Sequence, residues 1–452
     1  MARVKPALLR GFEEYLPQEQ LAFNAWVDAI RATFERFGFL PIETPSAERV
    51  EALTSKGVAE KEIYALTRLA AGEGEDDSAK GALRFDLTVP LARYVALHEH
   101  ELAFPFRRYQ IQRVWRGETP QVNKGRYREF YQCDIDVINK GELSILAEAE
   151  IPSIIHGVFS ALDIGRFEIR INNRKVLKGL LQHYQVSEAD AAGVLRILDK
   201  VEKLAPDLIQ KELAQAALNA AVARELYGVV SAKKSTEETF AALEALPNKN
   251  EMLMKGIAEL REVMAAVRAF GVPEAGCRVD LSVIRGLDYY TGTIYETSLL
   301  EHPELGSVCS GGRYDDLASY FSNTKMPGVG ISIGLTRLFS AFKGLRPAGR
   351  TPAQVLVTTM DPARLDRYLE IGRRLREAGI NTEIYLEGGK FRKQMEYANK
   401  KGFQVAVIAG EDELAAGEAQ VKDLASGTSA RHPLAGVVTA VEAVLKSLAK
   451  GS

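Results

Sequence analysis

The sequence predicts an α+β fold: an antiparallel sheet with flanking helices, a helical insertion, and a C-terminal α/β domain. Two strand-like segments, 109–115 and 128–137, enclose a loop rich in glycine and proline, which is the pattern of a long-looped antiparallel hairpin. From Val186 to Gly271 the sequence is rich in Ala, Leu, Glu and Lys with helical spacing, and strand-like segments resume only afterwards. Beyond residue 352, strand-like and helical segments alternate, as in compact α/β domains.

The first element is an amphipathic helix, predicted over 21–37 because Trp26, Ile30 and Phe34 recur at helical spacing before Gly38. The apolar run 39–42 contains Pro41, which lacks a backbone N–H and therefore indicates a strand at a sheet edge. After the insertion, periodicity and composition predict three strands and one helix. These are strands at 278–283, 293–299 and 330–333, and a helix at 335–342.

The C-terminal part follows a rhythm of strand and helix typical of βαβ units. The predicted strands are 354–358, 381–386 and 404–409, and the predicted helices are 362–378, 390–401 and 437–448. A chain of 452 residues exceeds what one hydrophobic core usually serves. We therefore predict a large domain over 1–345 with an insertion at about 186–271, a Pro/Gly linker at 346–352, and a second domain over 353–452.

Composition and charge exclude several classes of protein. Hydrophobic residues make up 46% and charged residues 26%, as in an ordinary globular protein, and the sequence contains neither an uninterrupted membrane-spanning stretch nor a secretory signal. The expected location is the cytosol, with no membrane partner. The formal net charge of −2 excludes a generally basic nucleic-acid binder, so any nucleic-acid contact must use local patches. The spacing of Cys133, Cys277 and Cys309 indicates neither a disulfide framework nor a zinc site, and the metal ligands remain unknown.

The hairpin carries the residues with the clearest chemistry. In its second strand Phe130, Gln132, Asp134 and Asp136 fall on one face, which predicts a polar site on that side. Arginines around the loop can bind phosphate oxygens in bidentate fashion, an acid can accept from an adenine amino group, and an aromatic ring can stack on the base. The alternative is a surface β-ribbon whose charges are merely solvated.

The spacing of these hairpin residues resembles the second signature motif of the class II aminoacyl-tRNA synthetases, with Arg116, Glu118, Arg126, Phe130 and Asp134 at the matching positions. The segment 330–337 is similar to their third motif, which ends on Arg337, and the Pro41 segment resembles their dimer-forming first motif. An acidic residue usually precedes the arginine of the third motif. Here Thr336 takes that place, which leaves the orientation of Arg337 open.

Two further segments, 284–290 and 310–315, resemble the two histidine-specific motifs of the histidyl-tRNA synthetase family, and 85–90 resembles its histidine-binding strand. The resemblance covers the whole chain. It implies a histidine pocket formed by Asp86, Leu87, Thr88, Arg116, Gln132, Asp136, Arg285, Tyr289, Tyr290 and Gly311. For 310–313, a simple Gly-Gly turn is the alternative to a backbone that lines the pocket.

The same resemblance implies an ATP site, with Mg²⁺ on the ATP phosphates, formed by Arg116, Glu118, Arg126, Phe130 and Arg337. Arg116 and Arg285 are the expected catalytic residues, gripping the α-phosphate from two sides. For Arg285, a salt bridge to Asp288 is the alternative interpretation.

The implied macromolecular partners are tRNA(His) and a second copy of the chain, as a homodimer through the Pro41 region. The hairpin residues Gln121, Lys124 and Arg128 are expected to reach the acceptor end of the tRNA. The basic helix that holds Lys393 and Lys400 is expected at the anticodon stem, with a solvated helix face as the alternative.

Two other functions share parts of this pattern. The histidine-binding regulatory paralogue of ATP phosphoribosyltransferase resembles the large domain, but it generally lacks the C-terminal one. A class II synthetase for another amino acid, such as threonine or proline, shares a related C-terminal domain. The four arginines at 116, 126, 285 and 337 argue against the regulator, and the segment 285–290 argues against the other synthetases.

Overall fold

The computed structural model describes residues 3–54, 60–68, 80–216, 219–286, 289–316, 318–343 and 349–450. Its backbone contacts divide the chain into two compact units. The first contains Met1–Glu13 and Trp26–Phe342, and the second contains Glu14–Ala25 and Lys343–Ser452. The predicted linker at 346–352 lies partly outside the described residues, and the predicted domain limits stay a prediction.

The first unit is built on a large sheet. Its strands, in chain order, are β1 (Leu40–Pro41), β2 (Ala47–Arg49), β3 (Ala65–Leu66), β4 (Gly81–Leu83), β5 (Phe106–Trp115), β6 (Glu129–Ile138), β7 (Phe167–Asn173), β8 (Cys277–Val279), β9 (Thr293–Leu299), β10 (Ser307–Tyr314) and β11 (Gly328–Gly334). Eight of them form one sheet in the order β1-β5-β6-β11-β10-β9-β7-β8, and β2-β4-β3 form a small second sheet. In the large sheet only the outer pairs, β1 with β5 and β7 with β8, are parallel, which confirms the antiparallel sheet.

The helices outside the insertion in this part of the sequence are α1 (Pro17–Arg36), α2 (Val50–Thr54), α3 (Thr88–Leu97), α4 (Ile145–Leu162) and α5 (Arg174–His183). Of the described helices, α4 alone is long and apolar enough to cross a membrane by length and composition. More than half of α4, 56%, is buried inside the protein, as expected of a core helix. It contains Glu148, which is itself buried and ion-paired with Arg313 at 2.7 Å.

The insertion is helical, as predicted. Its helices are α6 (Glu188–Leu198), α7 (Pro206–Gln215), α8 (Ala220–Ser231), α9 (Thr236–Glu244) and α10 (Glu251–Ala269). Polar side chains cap most of their N-termini because the first backbone N–H groups of a helix lack partners within it. Ser187, Asn219, Ser235 and Asn250 each accept such a bond. The large sheet resumes after α10 with β8, and the predicted helix at 335–342 is α11 (Leu335–Phe342).

The second unit has its own sheet and core. Its strands are β12 (Val355–Val357), β13 (Thr382–Ile384), β14 (Val405–Ile408), β15 (Glu418–Asp423) and β16 (Ser429–Pro433), in the order β13-β12-β14-β15-β16. Its helices after β12 are α12 (Leu365–Glu377), α13 (Phe391–Lys401), α14 (Glu411–Ala415) and α15 (Val437–Lys450). The predicted βαβ part is confirmed. The antiparallel pair β15–β16 was not predicted from the sequence.

The hairpin of β5 and β6 is confirmed, and its second strand has the predicted polar face. Gln132, Asp134 and Asp136 are all buried. The polar face of β6 is therefore the wall of an enclosed site rather than an exposed surface. The segment 310–314 is also part of a strand, β10, so the turn interpretation of Ser310-Gly-Gly-Arg is wrong.

Candidate active site

Polar side chains line up across the large sheet because neighbouring strands share one register. Residues directly opposite each other on adjacent strands point to the same face of a sheet. One such row runs across six strands and reads Gln110, Asp134, Ser332, Ser310, Glu296 and Arg170. A parallel row begins with Arg108, Asp136 and Gly330. The register of the sheet thus gathers polar residues from distant segments of the sequence.

A cavity of about 480 Å³ opens over this polar face. Eight of the ten residues expected to bind histidine line it: Asp86, Thr88, Arg116, Gln132, Asp136, Arg285, Tyr289 and Tyr290. The side chain of Leu87 is fully buried and does not line the cavity. Gly311 does not line it either. β10 and β11 pack closely at this glycine, where a Cβ would lie 2.1 Å from the carbonyl oxygen of Gly330. The neighbouring Ser310 lines the cavity instead.

One end of the cavity is acidic. Asp86, Asp134 and Asp136 line it, and Arg108, whose side chain is fully buried, lies 2.5 Å from Asp136. Burial raises the pKa of Asp134 to about 7 and that of Asp136 to about 6, although the charge of Arg108 acts in the opposite direction. Burial also raises the pKa of Asp86. The charge of Arg108 acts on all three carboxyls, and that of Arg116 acts in addition on Asp86. Three carboxyls so close together make this end attractive to a cationic ligand.

The raised pKa values predict a pH dependence of ligand binding. A carboxyl with a raised pKa in the folded protein contributes stability at low pH, and this contribution is lost as the pH rises through 6–7. A bound cation offsets the cost of the ionised form, so we expect histidine to raise the melting temperature more at pH 8 than at pH 6. Histidine itself becomes more cationic at pH 6, but this change is common to the wild type and to the control Asp134→Asn. The pH dependence of the thermal shift in the wild type minus that in Asp134→Asn therefore measures the contribution of the carboxyl; no difference between the two proteins would contradict it.

Unpaired acceptors point to the kind of group that the acidic end binds. Gln132 donates from Nε2 to Ser332 Oγ at 2.6 Å, so its carbonyl oxygen remains an acceptor. Within the described residues, neither Gln132 Oε1 nor Asp134 Oδ1 has a hydrogen-bond partner, although both atoms are buried. Buried acceptors without partners are costly. A ligand with N–H donors, such as an ammonium group or an imidazole, would satisfy them.

Asp136 is held in place from two sides. Tyr314 donates its hydroxyl to Asp136 Oδ1 at 2.7 Å. Gly330 lies opposite Asp136 on β11, and a Cβ at this glycine would lie 2.1 Å from Asp136 Oδ1 and 2.4 Å from the carbonyl oxygen of Ile135. The backbone at Gly330 must therefore lack a side chain for the carboxylate to lie where it does.

The two expected catalytic arginines line the same cavity. Arg116 donates from Nε to the carbonyl oxygen of Phe85 at 3.0 Å, and its guanidinium lies 5.1 Å from the ring centroid of Phe130. Arg285 forms a bidentate pair with Glu296 at 3.0 and 3.1 Å. Asp288, the partner considered from sequence, lies outside the described residues.

A second group of positive charges belongs to the expected ATP residues. Arg337 donates to the carbonyl oxygen of Ser307 at 2.8 Å and also to that of Leu305. Burial, together with the charges of Arg126 and Arg285, lowers the pKa of Arg337 to about 10. Like charges near each other favour a bound anion, such as a phosphate chain.

Thr336 and Gly125 fix the position of α11 relative to the hairpin. Thr336 Oγ1 accepts a hydrogen bond from the backbone N–H of Tyr131 on β6 at 2.8 Å. Gly125 has a φ of 66°, and a Cβ there would lie 3.0 Å from the carbonyl oxygen of Arg337. Thr336 therefore has a structural role, at the position where the third motif usually has an acidic residue.

The residues expected to contact tRNA differ in how exposed their side chains are. Gln121 and Lys124 are exposed at the tip of the hairpin loop. Arg128 is only half-exposed and donates to the carbonyl oxygen of Glu118 at 3.2 Å, so it braces the loop. Lys393 and Lys400 are exposed on α13 in the second unit.

Within the described residues no group of three or more His, Cys, Asp or Glu side chains is arranged to hold a metal ion. The three cysteines are free and buried.

Several residues of the site were missed from the sequence. Arg108, Tyr314, Glu296 and Ser332 carry its hydrogen bonds and ion pairs, yet none was singled out. Only Arg108 had a signal in the sequence: polar residues alternate along β5 at Arg108, Gln110 and Gln112. The others become visible only when the register of β9, β10 and β11 is known.

Class II aminoacyl-tRNA synthetases build their catalytic domain on an antiparallel sheet whose face carries the substrate pocket, and the fold described above places the chain in that class. Residues 11–338 match the family described as "Histidyl-tRNA synthetase", and residues 354–444 match "Anticodon binding domain". The chain therefore belongs to the histidyl-tRNA synthetase family, which confirms the resemblance found in its motifs.

Relatives agree with this assignment. The chain is 49% identical over 446 residues to a "Histidine--tRNA ligase" of Xanthomonas oryzae pv. oryzae (strain PXO99A), which covers 93% of this chain and 94% of that protein. It is 48% identical over 441 residues to the "Histidine--tRNA ligase" of Stenotrophomonas maltophilia (strain K279a), covering 93% and 94%. The crystal structure of histidyl-tRNA synthetase from Nostoc sp. PCC 7120 superimposes with a TM-score of 0.87 at 40% identity, covering 97% of this chain and 99% of that one.

Proposed function

We propose that this chain is a histidine–tRNA ligase, which activates histidine with ATP and transfers it to the 3′ end of tRNA(His). The observation that carries the proposal is that Arg116 and Arg285 line one cavity with the buried carboxyls Asp86, Asp134 and Asp136. A cavity lined by both arginines and carboxyls matches an amino acid whose carboxylate must meet a phosphate. The names of the close relatives support the choice of histidine.

In the first step, a carboxylate oxygen of histidine attacks the α-phosphorus of ATP, a P–O bond forms, and pyrophosphate leaves. Charge gathers on the α-phosphate oxygens, so the reaction needs positioning and positive charge more than a covalent catalyst. Arg116 and Arg285 supply that charge from two sides. Asp86 and Gln132 accept from the ammonium group, and Asp136 accepts from the imidazole, while Thr88, Tyr289 and Tyr290 close the pocket.

The imidazole is the group that selects the substrate. A neutral imidazole offers one donor and one acceptor, and a buried site that pairs with them rejects apolar side chains of similar shape. Asp136 is well placed for this because Arg108 and Tyr314 fix its carboxylate. Leu87 and Gly311 contribute through the shape of the wall rather than by direct contact.

ATP would lie beside this pocket. Phe130 stacks on the adenine, Glu118 accepts from its amino group, and Arg126 and Arg337 bind the β- and γ-phosphates. The charge interactions of Arg337 with Arg126 and Glu118 support placing these groups together. Magnesium would enter with the ATP phosphates, since Mg²⁺ commonly keeps several waters and few protein ligands.

In the second step, a hydroxyl at the 3′ end of the tRNA attacks the activated carbonyl and AMP leaves. Gln121, Lys124 and Arg128 on the hairpin loop would contact the acceptor end. The edge strand β1, with Leu40 60% exposed, would join a second copy in a homodimer. The enzyme would work in the cytosol without a membrane partner.

The decisive assay is ATP–pyrophosphate exchange with each amino acid in turn. We expect exchange with histidine alone. Exchange with threonine or proline would favour a different synthetase, whereas histidine binding without exchange would favour a regulatory paralogue of ATP phosphoribosyltransferase. Aminoacylation of tRNA(His) then tests the second step.

The proposed anticodon contact predicts that charge reversal on α13 weakens tRNA binding. Lys393→Glu and Lys400→Glu together should raise the Kd for tRNA(His) by about tenfold or more at low salt, with less effect as the salt concentration rises. Filter binding measures this. Lys446→Glu, an exposed lysine on α15, is the matched control. An unchanged Kd in the double variant would assign these lysines to a solvated helix face.

A further inference from the structure

A chain of ion pairs connects the helical insertion to Arg285. Glu296 on β9 holds Arg285 in bidentate fashion, and it also lies 3.4 Å from Arg170 on β7. Arg170 in turn donates to Glu202 at 2.5 Å. Glu202 follows α6 and therefore belongs to the insertion. Three consecutive ion pairs thus connect the expected catalytic arginine to a helical segment that lies outside the sheet.

The pairs in this chain compete with one another. Arg285 Nη2 and Arg170 Nη2 approach the same oxygen, Glu296 Oε1, at 3.1 and 3.4 Å. One carboxylate oxygen shared by two guanidinium groups binds each of them less strongly when the other moves closer. The other terminal nitrogen of Arg170, Nη1, lies 2.5 Å from Glu202 and 3.5 Å from Asp280.

The setting makes this competition energetically important. Glu296 is only 5% exposed and Arg170 only 7%, so their charges are weakly screened by solvent. Asp280, also buried, lies 3.5 Å from Arg170 and 2.8 Å from Arg278. Glu202 has a side chain that is 40% exposed and lies on a separate helical segment, so it is the partner that can withdraw.

A second acid of the insertion acts on the same group. Asp199 lies at the C-terminal end of α6, and its negative charge favours the charged form of Arg285. Burial opposes this charge, but the hydrogen bond and charge of Glu296, with the smaller contribution of Asp199, leave the pKa of Arg285 raised. Both acids lie in the turn after α6, so the turn faces the arginine pair.

We propose that Glu202 is a positioning residue for Arg285: by holding Arg170, it leaves Glu296 free to fix the guanidinium that faces the α-phosphate. The insertion then sets the rate of histidine activation without touching either substrate. This inference rests on the proposed role of Arg285.

The test is Glu202→Gln in the full-length chain, assayed by histidine-dependent ATP–pyrophosphate exchange. We expect kcat to fall by about fivefold, with the KM values for histidine and ATP unchanged, because orientation rather than binding is lost. Glu212→Gln is the matched control, since it removes another ion pair of the insertion, with Lys200 at 3.1 Å, that does not involve Arg170. The control should leave kcat unchanged.

A double-mutant cycle distinguishes the positioning role of Glu202 from the catalytic role of Arg285. In an Arg285→Ala background, Glu202→Gln should have no further effect on kcat. An unchanged kcat in Glu202→Gln alone, or the same fivefold loss in both backgrounds, would overturn the positioning role while leaving the proposed function intact. Normal exchange in Arg285→Ala itself would instead remove Arg285 from the proposed mechanism.

Discussion

Arg285→Ala is expected to slow histidine-dependent ATP–pyrophosphate exchange by about 10²–10³-fold, the usual loss for one group that stabilises transition-state charge. The guanidinium lines the cavity and is fixed by Glu296, so it is oriented before substrate binds. Such preorganisation makes a charge effective because no reorganisation is needed during the reaction. We expect the loss in kcat rather than in the KM for histidine.

Arg313→Ala is an informative comparison, because Arg313 also belongs to a histidine-specific motif and is also ion-paired. Its partners are Glu148 at 2.7 Å and Asp315 at 2.9 Å, and it does not line the cavity. Arg313→Ala should lower the melting temperature, whereas the kcat of the protein that remains folded should change little. A wild-type exchange rate in Arg285→Ala would remove Arg285 from the mechanism.

Asp136→Asn is expected to be costly for both histidine selection and stability. The change removes the negative charge that pairs with the fully buried Arg108, and breaking a buried pair by removing one partner typically costs about 3–5 kcal/mol. For histidine, loss of one charged hydrogen-bond partner should lower kcat/KM by about 10–100-fold. Urea denaturation and exchange kinetics measure the two effects separately.

Tyr314→Phe serves as the smaller step in the same network. It removes the hydroxyl that donates to Asp136 at 2.7 Å but leaves the ring and the ion pair with Arg108 in place. Its loss of stability should be about 1 kcal/mol. If Asp136→Asn kept the wild-type KM for histidine while Tyr314→Phe raised it, Asp136 would not be the imidazole partner.

Most of the fold could be predicted because periodicity reports local structure directly. The hairpin of β5 and β6, the helical insertion and α11 were all predicted from spacing and turn residues. The strands β2, β3, β4, β7 and β10 were missed, and the strand expected at 85–90 is wrong, because α3 begins at Thr88. β7 does alternate, with Phe167, Ile169 and Ile171 on one face and Glu168 and Arg170 on the other, so its signal was present in the sequence. In β10, by contrast, the Gly-Gly pair is a stronger signal for a turn than for a strand. Glycines occur in β10 because it packs closely on β11.

The candidate site could be predicted where a motif places its residues close together in sequence. Arg116 and Asp136 lie on one hairpin, and alternation indicates which residues share a face. Glu296, Arg170 and Glu202 could not be found this way, since sheet register and ion pairing join residues that are far apart in the sequence. The partner of Arg285 shows the limit: the nearest acid along the sequence was considered, but Glu296 on a neighbouring strand holds the guanidinium.

The most direct measurement is a crystal structure with a non-hydrolysable analogue of histidyl-adenylate bound to the chain. Guanidinium nitrogens of both Arg116 and Arg285 should lie about 3 Å from oxygens of the single phosphate, with the imidazole against Asp136. A phosphate out of reach of either arginine, or an imidazole bound away from the acidic end of the cavity, would contradict the proposed mechanism.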